Sequence, residues 1–139
     1  MKFQTLASLL FSAASTVSGS AAAQDSSCPP GRVGDWFSMA VYPQIHNATY
    51  DSTFNTEYYS QQQMPWICSL WKPFGMKGYT ITGFNRESIY STATLLYFST
   101  PEQFDAALAD SGEEILERVK LFSSETPTHY VGEVLYTVV

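Results

Sequence analysis

Basic residues, cysteine and histidine are scarce in this chain, and each scarcity removes a class of function. Seven Lys and Arg stand against thirteen Asp and Glu in 139 residues, a formal net charge of −6. Nucleic acid and anionic membrane call for the opposite balance, because their phosphates are met by cationic side chains, so neither is expected as a partner. The two cysteines, Cys28 and Cys68, and the two histidines, His46 and His129, match no zinc-ligand spacing, and no metal is expected. No Gly-rich phosphate loop or dinucleotide fingerprint occurs, so no nucleotide cofactor is expected either. Neither histidine accompanies a Ser or Cys nucleophile in a recognisable motif. Crossing a bilayer takes about 20 apolar residues, and no segment reaches that length. Internal repeats are also missing.

Residues 1–23 read as a secretory signal peptide. Lys2 supplies a positive start, Phe3 to Phe11 is mostly apolar, and the small residues end in Ala21-Ala22-Ala23, an A-x-A pattern that places cleavage before Gln24. The chain is therefore expected outside the cell or in the lumen of the secretory pathway. Residues 24–34, around Pro29-Pro30-Gly31, form an irregular lead-in. Residues 35–139 are enough for one domain with its own core. In an exported chain an even pair of cysteines suggests a disulfide between Cys28 and Cys68. It would close a loop of about 40 residues, worth roughly 4 kcal/mol in the chain-entropy model. The alternative is two free thiols, with Cys68 simply packed. Asn47-Ala48-Thr49 is an N-glycosylation sequon in a loop-like stretch, occupied after export through a eukaryotic pathway and bare after a bacterial one.

Aromatic residues, at 15%, are plentiful, and the stretch from Phe54 to Gly78 organises the rest. Tyr58, Gln62, Trp66 and Leu70 recur every four residues, with Tyr59, Gln63 and Ile67 in a parallel row, which places both rows on one helical face. Phenols, amides and an indole on an apolar face either line a pocket for a small aromatic molecule or pack as core. This helix is expected to start near Thr53, to kink at Pro65 and to end at Pro73 and Gly75. Strands are expected over Asp35 to Tyr42, Gly78 to Phe84, Thr92 to Phe98 and Thr128 to Val138. Thr100-Pro101-Glu102-Gln103 marks the start of a second helix through a capping box, with Gly112 a possible break. Glu113, Glu114 and Glu117 read as its solvated face.

The resulting order, β-α-β-β-α-β, is the α+β ferredoxin-like arrangement: one antiparallel sheet with both helices on one face. Strands 1 and 3 carry large apolar groups on both faces: Phe37, Met39 and Val41 oppose Trp36 and Tyr42, and Leu95 and Tyr97 oppose Leu96 and Phe98. Two helices cover one face, and soluble monomers avoid a large bare one, so a homodimer that buries the second sheet face is expected.

Three groups of residues, Glu57-Tyr58-Tyr59, Gln63-Met64-Pro65 and Phe74-Gly75-Met76-Lys77-Gly78, resemble the EthD family, named for ethyl tert-butyl ether degradation. Tyr97-Phe98, the helix from Phe104 to Ile115 and the ending Pro127 to Val134 fit it as well. The resemblance implies a dimeric α/β-barrel with a small-molecule cleft between sheet and first helix. It also implies activities that range from oxidative ether breakdown to dehydration or decarboxylation of aromatic polyketides. Gln63 occupies the position where the family carries histidine. An amide orients a ligand oxygen but exchanges no proton near neutral pH, so it is no general base.

The expected ligand-binding residues are Tyr59, Gln63, Trp66 and Tyr42, with Tyr59 and His129 as candidates for catalysis. For each, packing within a closed core is the competing reading, and His46 is read as solvent-exposed. The expected function is cofactor-independent chemistry of the dehydratase or oxidoreductase type on a small aromatic or polyketide-like molecule. Non-catalytic binding of a hydrophobic metabolite in the same cleft is the alternative.

Overall fold

The computed structural model describes residues 32–136. The signal peptide, most of the lead-in and Cys28 lie outside the described residues.

Four strands form one antiparallel sheet: β1 (Trp36–Pro43), β2 (Gly78–Gly83), β3 (Tyr90–Phe98) and β4 (Thr128–Glu133), in the spatial order β2-β3-β1-β4. With the helices between β1 and β2 and between β3 and β4, this is the expected ferredoxin-like α+β fold. Alternation along β1 sends Trp36, Ser38, Ala40 and Tyr42 to the helix side, and the register places Leu96, Phe98 and Thr94 of β3 beside them. Ala40, Tyr42, Leu96 and Phe98 meet Ile67, Trp71, Phe104 and Ala107 from the helices in one core.

The first helical rod has three parts: α1 (Thr56–Tyr58), a π segment (Tyr59–Gln63) and α2 (Met64–Trp71). It starts at Asn55 rather than near Thr53. The Asn55 side chain accepts from the Tyr58 N–H at 2.9 Å, and asparagine is a better N-cap than threonine. The expected disturbance at Pro65 takes the form of the π segment, in which the Met64 N–H reaches back to the Tyr59 carbonyl. The wider turn directly precedes the proline, and the continuous rod takes up the ring and the missing N–H there.

Helix α3 (Pro101–Glu117) begins at the capping box read from the sequence: Thr100 accepts from the Gln103 N–H while the Gln103 side chain accepts from the Thr100 N–H. Gly112 does not break it. A single helical glycine costs only about 1 kcal/mol, and packing of the apolar stripe carries the helix through. The rod before β2 ends at Gly75, whose φ of 103° is the left-handed C-cap conformation. The last strand stops at Glu133, short of the expected Val138.

The second sheet face carries Phe37, Met39 and Val41 from β1, Ala93, Leu95 and Tyr97 from β3, and Tyr130 from β4. No helix of the described chain lies on it: Val41 and Ala93 are buried at one end, Phe37, Met39, Leu95 and Tyr97 are half-buried, and Tyr130 is 49% exposed.

Candidate functional site

Between the sheet and the two helices lies a cavity of about 310 Å³. One end is buried and is built by Tyr42, Tyr59, Gln63, Met64 and Trp71. Exposure rises toward Leu108, Leu116, His129 and Val131, which puts the mouth between α3 and β4. Gly112 also lines the wall, and its missing side chain lets Leu108 pack against the helix backbone there. Most of the surface is aliphatic or aromatic, with a few polar groups set into it, the usual composition of a small-molecule site.

The sheet positions Tyr42, Ser38 and His129 in this wall because all three lie on helix-facing register positions, Ala40 being paired with His129. The π segment supplies Tyr59 at its first residue and Gln63 at its last. Segments of this kind recur at functional sites because the added residue re-aims side chains that an α-helix would space regularly.

The two phenols are neighbours. Tyr59 donates to the fully buried Thr94 hydroxyl at 2.8 Å. Tyr42 lies beside Tyr59, their ring centroids 5.8 Å apart. Burial pushes Tyr59 up to about 12, against the pull of its hydrogen bond to Thr94. Burial pushes Tyr42 up further, and the neighbouring Tyr59 adds to the effect. Neither phenol gives up its proton near neutral pH. Partial desolvation at the mouth lowers His129, which favours its neutral imidazole.

Gln63 is 1% exposed. Its Oε1 accepts from Arg118 Nε at 3.0 Å, while Nε2 is buried without a partner among the described residues. Arg118 stands outside the cavity at the end of α3. It also donates to the Tyr58 hydroxyl at 3.2 Å and lies 4.2 Å from the centre of the Trp66 ring.

Of the expected site residues, Tyr42, Tyr59, Gln63 and His129 line the same cavity. Trp66 does not join them. It is half-buried against the edge of the core, under the Arg118 guanidinium, and does not line the cavity. Sequence reasoning missed Arg118 altogether. Its only sequence signal is a cation near a helix C-terminus, which usually reports the helix dipole. His46 is exposed beside Asp51 and Arg86, away from the cavity. Cys68 is buried, and no described cysteine is free. No described helix is long and apolar enough to cross a membrane, and no described cluster of His, Cys, Asp or Glu suits a metal ion.

The sequence matches no family model and no curated protein. Several solved structures share the fold. An EthD-like protein from Ralstonia eutropha JMP134 superposes with a TM-score of 0.65 at 19% identity, over 77% of this chain and 97% of that one. An ethyl tert-butyl ether degradation family protein from Bacillus halodurans C-125 gives 0.54 at 20% identity, over 71% and 97%. SnoaB from Streptomyces nogalater, a cofactor-independent oxygenase, gives 0.52 at 15% identity, over 76% and 98%. The EthD resemblance read from the Tyr-Tyr and Gln-Met-Pro residues is therefore matched in three dimensions by the fold.

Proposed function

We propose that this chain, which has the fold of EthD-like proteins, takes one small, flat aromatic or polyketide-like molecule into the cavity between sheet and helices and acts on it without a bound cofactor. The observation that carries the proposal is the combination of a roomy aromatic-lined cavity with Gln63 and His129 in its wall. Gln63 orients a ligand oxygen. The rings of Tyr42 and Tyr59, set edge to face, close the buried end around the guest. His129, favoured in its neutral form, takes a proton from an activated phenol or from carbon next to a carbonyl. Loss of that proton leads either to dehydration, with the proton returned to the departing hydroxide, or to an electron-rich anion that dioxygen oxidises. The cofactor-independent oxygenase activity of SnoaB, on the same fold, supports the second course.

The test is incubation of purified protein with phenols, β-hydroxy ketones and anthrone-like compounds in air, followed by mass spectrometry. His129→Asn is expected to slow product formation by about 100-fold, the usual scale of a general base. Unchanged turnover in that variant would remove His129 from the mechanism.

A second reading is favoured by Gln63 itself, since an amide stands where the EthD pattern has an exchangeable histidine. The protein is then an extracellular binder of a hydrophobic metabolite. Binding without product across the panel selects this reading, and absence of both binding and product defeats both.

The remaining proposals concern assembly and processing. The uncovered sheet face pairs with the same face of a second copy, which hides Met39, Leu95 and Tyr97 by symmetry. The chain is exported after loss of residues 1–23, and Cys68 pairs with Cys28. Asn47 is exposed in a turn where its side chain accepts from Thr49 N–H and hydroxyl at 2.9 and 3.0 Å, and it carries a glycan if export is eukaryotic.

A further inference from the structure

Gln63 and Arg118 together define which way a donor faces. A glutamine amide has an accepting end and a donating end, and its orientation must be assigned from its partners. Arg118 has only donors to offer, and its Nε donates to Gln63 Oε1 at 3.0 Å. The accepting end therefore faces the guanidinium. The donating end, Nε2, is left on a residue that lines the cavity, buried and without a protein acceptor among the described residues. A buried amide donor left unpaired is costly, so this group is ready for an acceptor.

Arg118 is itself held. Its second donor goes to the Tyr58 hydroxyl at 3.2 Å, and its guanidinium lies over Trp66. Trp66, which stands outside the cavity, thus acts on it from behind. A fixed positive charge on the carbonyl side of the amide also strengthens the N–H on the other side, because hydrogen bonds in a chain polarise one another. Nε2 has almost no accessible surface, so a guest oxygen meets it as the neighbouring wall side chains give way, with Oε1 kept on Arg118.

We propose that Arg118 is a positioning residue that locks Gln63 as a one-way donor, so that the cavity selects aromatic ketones and quinones over the parent hydrocarbons. The inference rests on the reading that the cavity takes an aromatic guest, and it names the feature that guest must present: a carbonyl oxygen facing Gln63.

9-Fluorenone and fluorene make a matched pair of probes, differing by one carbonyl. Titration of the full protein by tryptophan fluorescence is expected to show fluorenone bound about tenfold more tightly, the scale of one hydrogen bond. Gln63→Leu keeps much of the volume and removes the donor, so both probes are expected to bind alike. Gln63→Glu keeps a partner for Arg118 but presents only acceptors, so the preference is expected to reverse. Arg118→Met frees the amide to turn, and the preference is expected to shrink while fluorene binding stays the same. The infrared carbonyl stretch of bound fluorenone is expected at lower frequency in wild type than in Gln63→Leu, a signature that loss of packing alone does not produce. If wild type binds both probes equally, or Gln63→Glu keeps the ketone preference, the inference is overturned while the cavity remains a binding site. If neither probe binds, the aromatic-guest reading fails first and carries this inference down with it.

Discussion

Tyr59→Phe removes one oxygen from the buried end of the cavity, and the structure fixes what that oxygen does. The hydroxyl donates to Thr94, which is fully buried. The substitution deletes a bond worth about 1 kcal/mol and leaves the buried Thr94 hydroxyl without this partner, at about another 1–2 kcal/mol, so a loss of roughly 2–3 kcal/mol is expected. For a domain of this size that is a fall in melting temperature of roughly 10–20 °C. Thr94→Val is expected to cost about 1–2 kcal/mol by stripping the acceptor from Tyr59. Because the two variants remove the same bond, the double variant should be less damaged than their sum by about 1 kcal/mol. Urea unfolding followed by circular dichroism on the four proteins measures the cycle. Additive losses, or a Tyr59→Phe loss below about 0.5 kcal/mol, would refute the coupled network and return the hydroxyl to the cavity as a free group. Turnover of Tyr59→Phe, measured well below its melting temperature, then separates wall from chemistry: an unchanged rate takes the hydroxyl out of the mechanism.

Burial holds the folded-state pKa of His129 below its ordinary 6.5, so the unfolded chain binds this proton more readily. Its contribution to stability is present in full above the unfolded value and is lost as pH falls through the folded one. Urea midpoints between pH 7.5 and 5 should fall, and His129→Gln should flatten that part of the curve. Leu95→Arg places an unpaired charge on the uncovered sheet face, opposite Met39 and Thr80. Sedimentation is expected to show dimer affinity weakened by roughly 100-fold, or about 2.7 kcal/mol. An equally tight dimer would place the interface elsewhere. Intact mass of the secreted protein should rise by two hydrogens on reduction, and reduction should cost about 4 kcal/mol of stability for a loop of this length. No change in mass would mean that Cys28 and Cys68 do not pair with each other.

Local rules accounted for much of the fold. The capping box at Thr100, the alternation of β1 and the glycine turn at Gly75 are each set within a few residues, and each stands where expected. The burial of Tyr59, Gln63 and Ile67 on one row also followed from helical periodicity. Two expectations failed for non-local reasons. Gly112 stays helical because the stripe around it packs, which overrides its own propensity. The start at Asn55 reflects a tertiary anchor as well as a cap, since the Asn55 N–H donates to the Phe122 carbonyl at 2.7 Å.

What the sequence alone determined was the order of strands and helices, the two-sided apolar character of the central strands and the absence of metal-ligand and phosphate-loop patterns. These depend on composition and on periods of two and 3.6 residues, which a linear reading detects. Only the tertiary structure decided that Trp66 packs beneath Arg118 instead of lining the cavity, that Arg118 stands behind Gln63 and that His129 shares a wall with both phenols. The physical reason is distance along the chain. Arg118 is 55 residues from Gln63, and no local pattern relates the two.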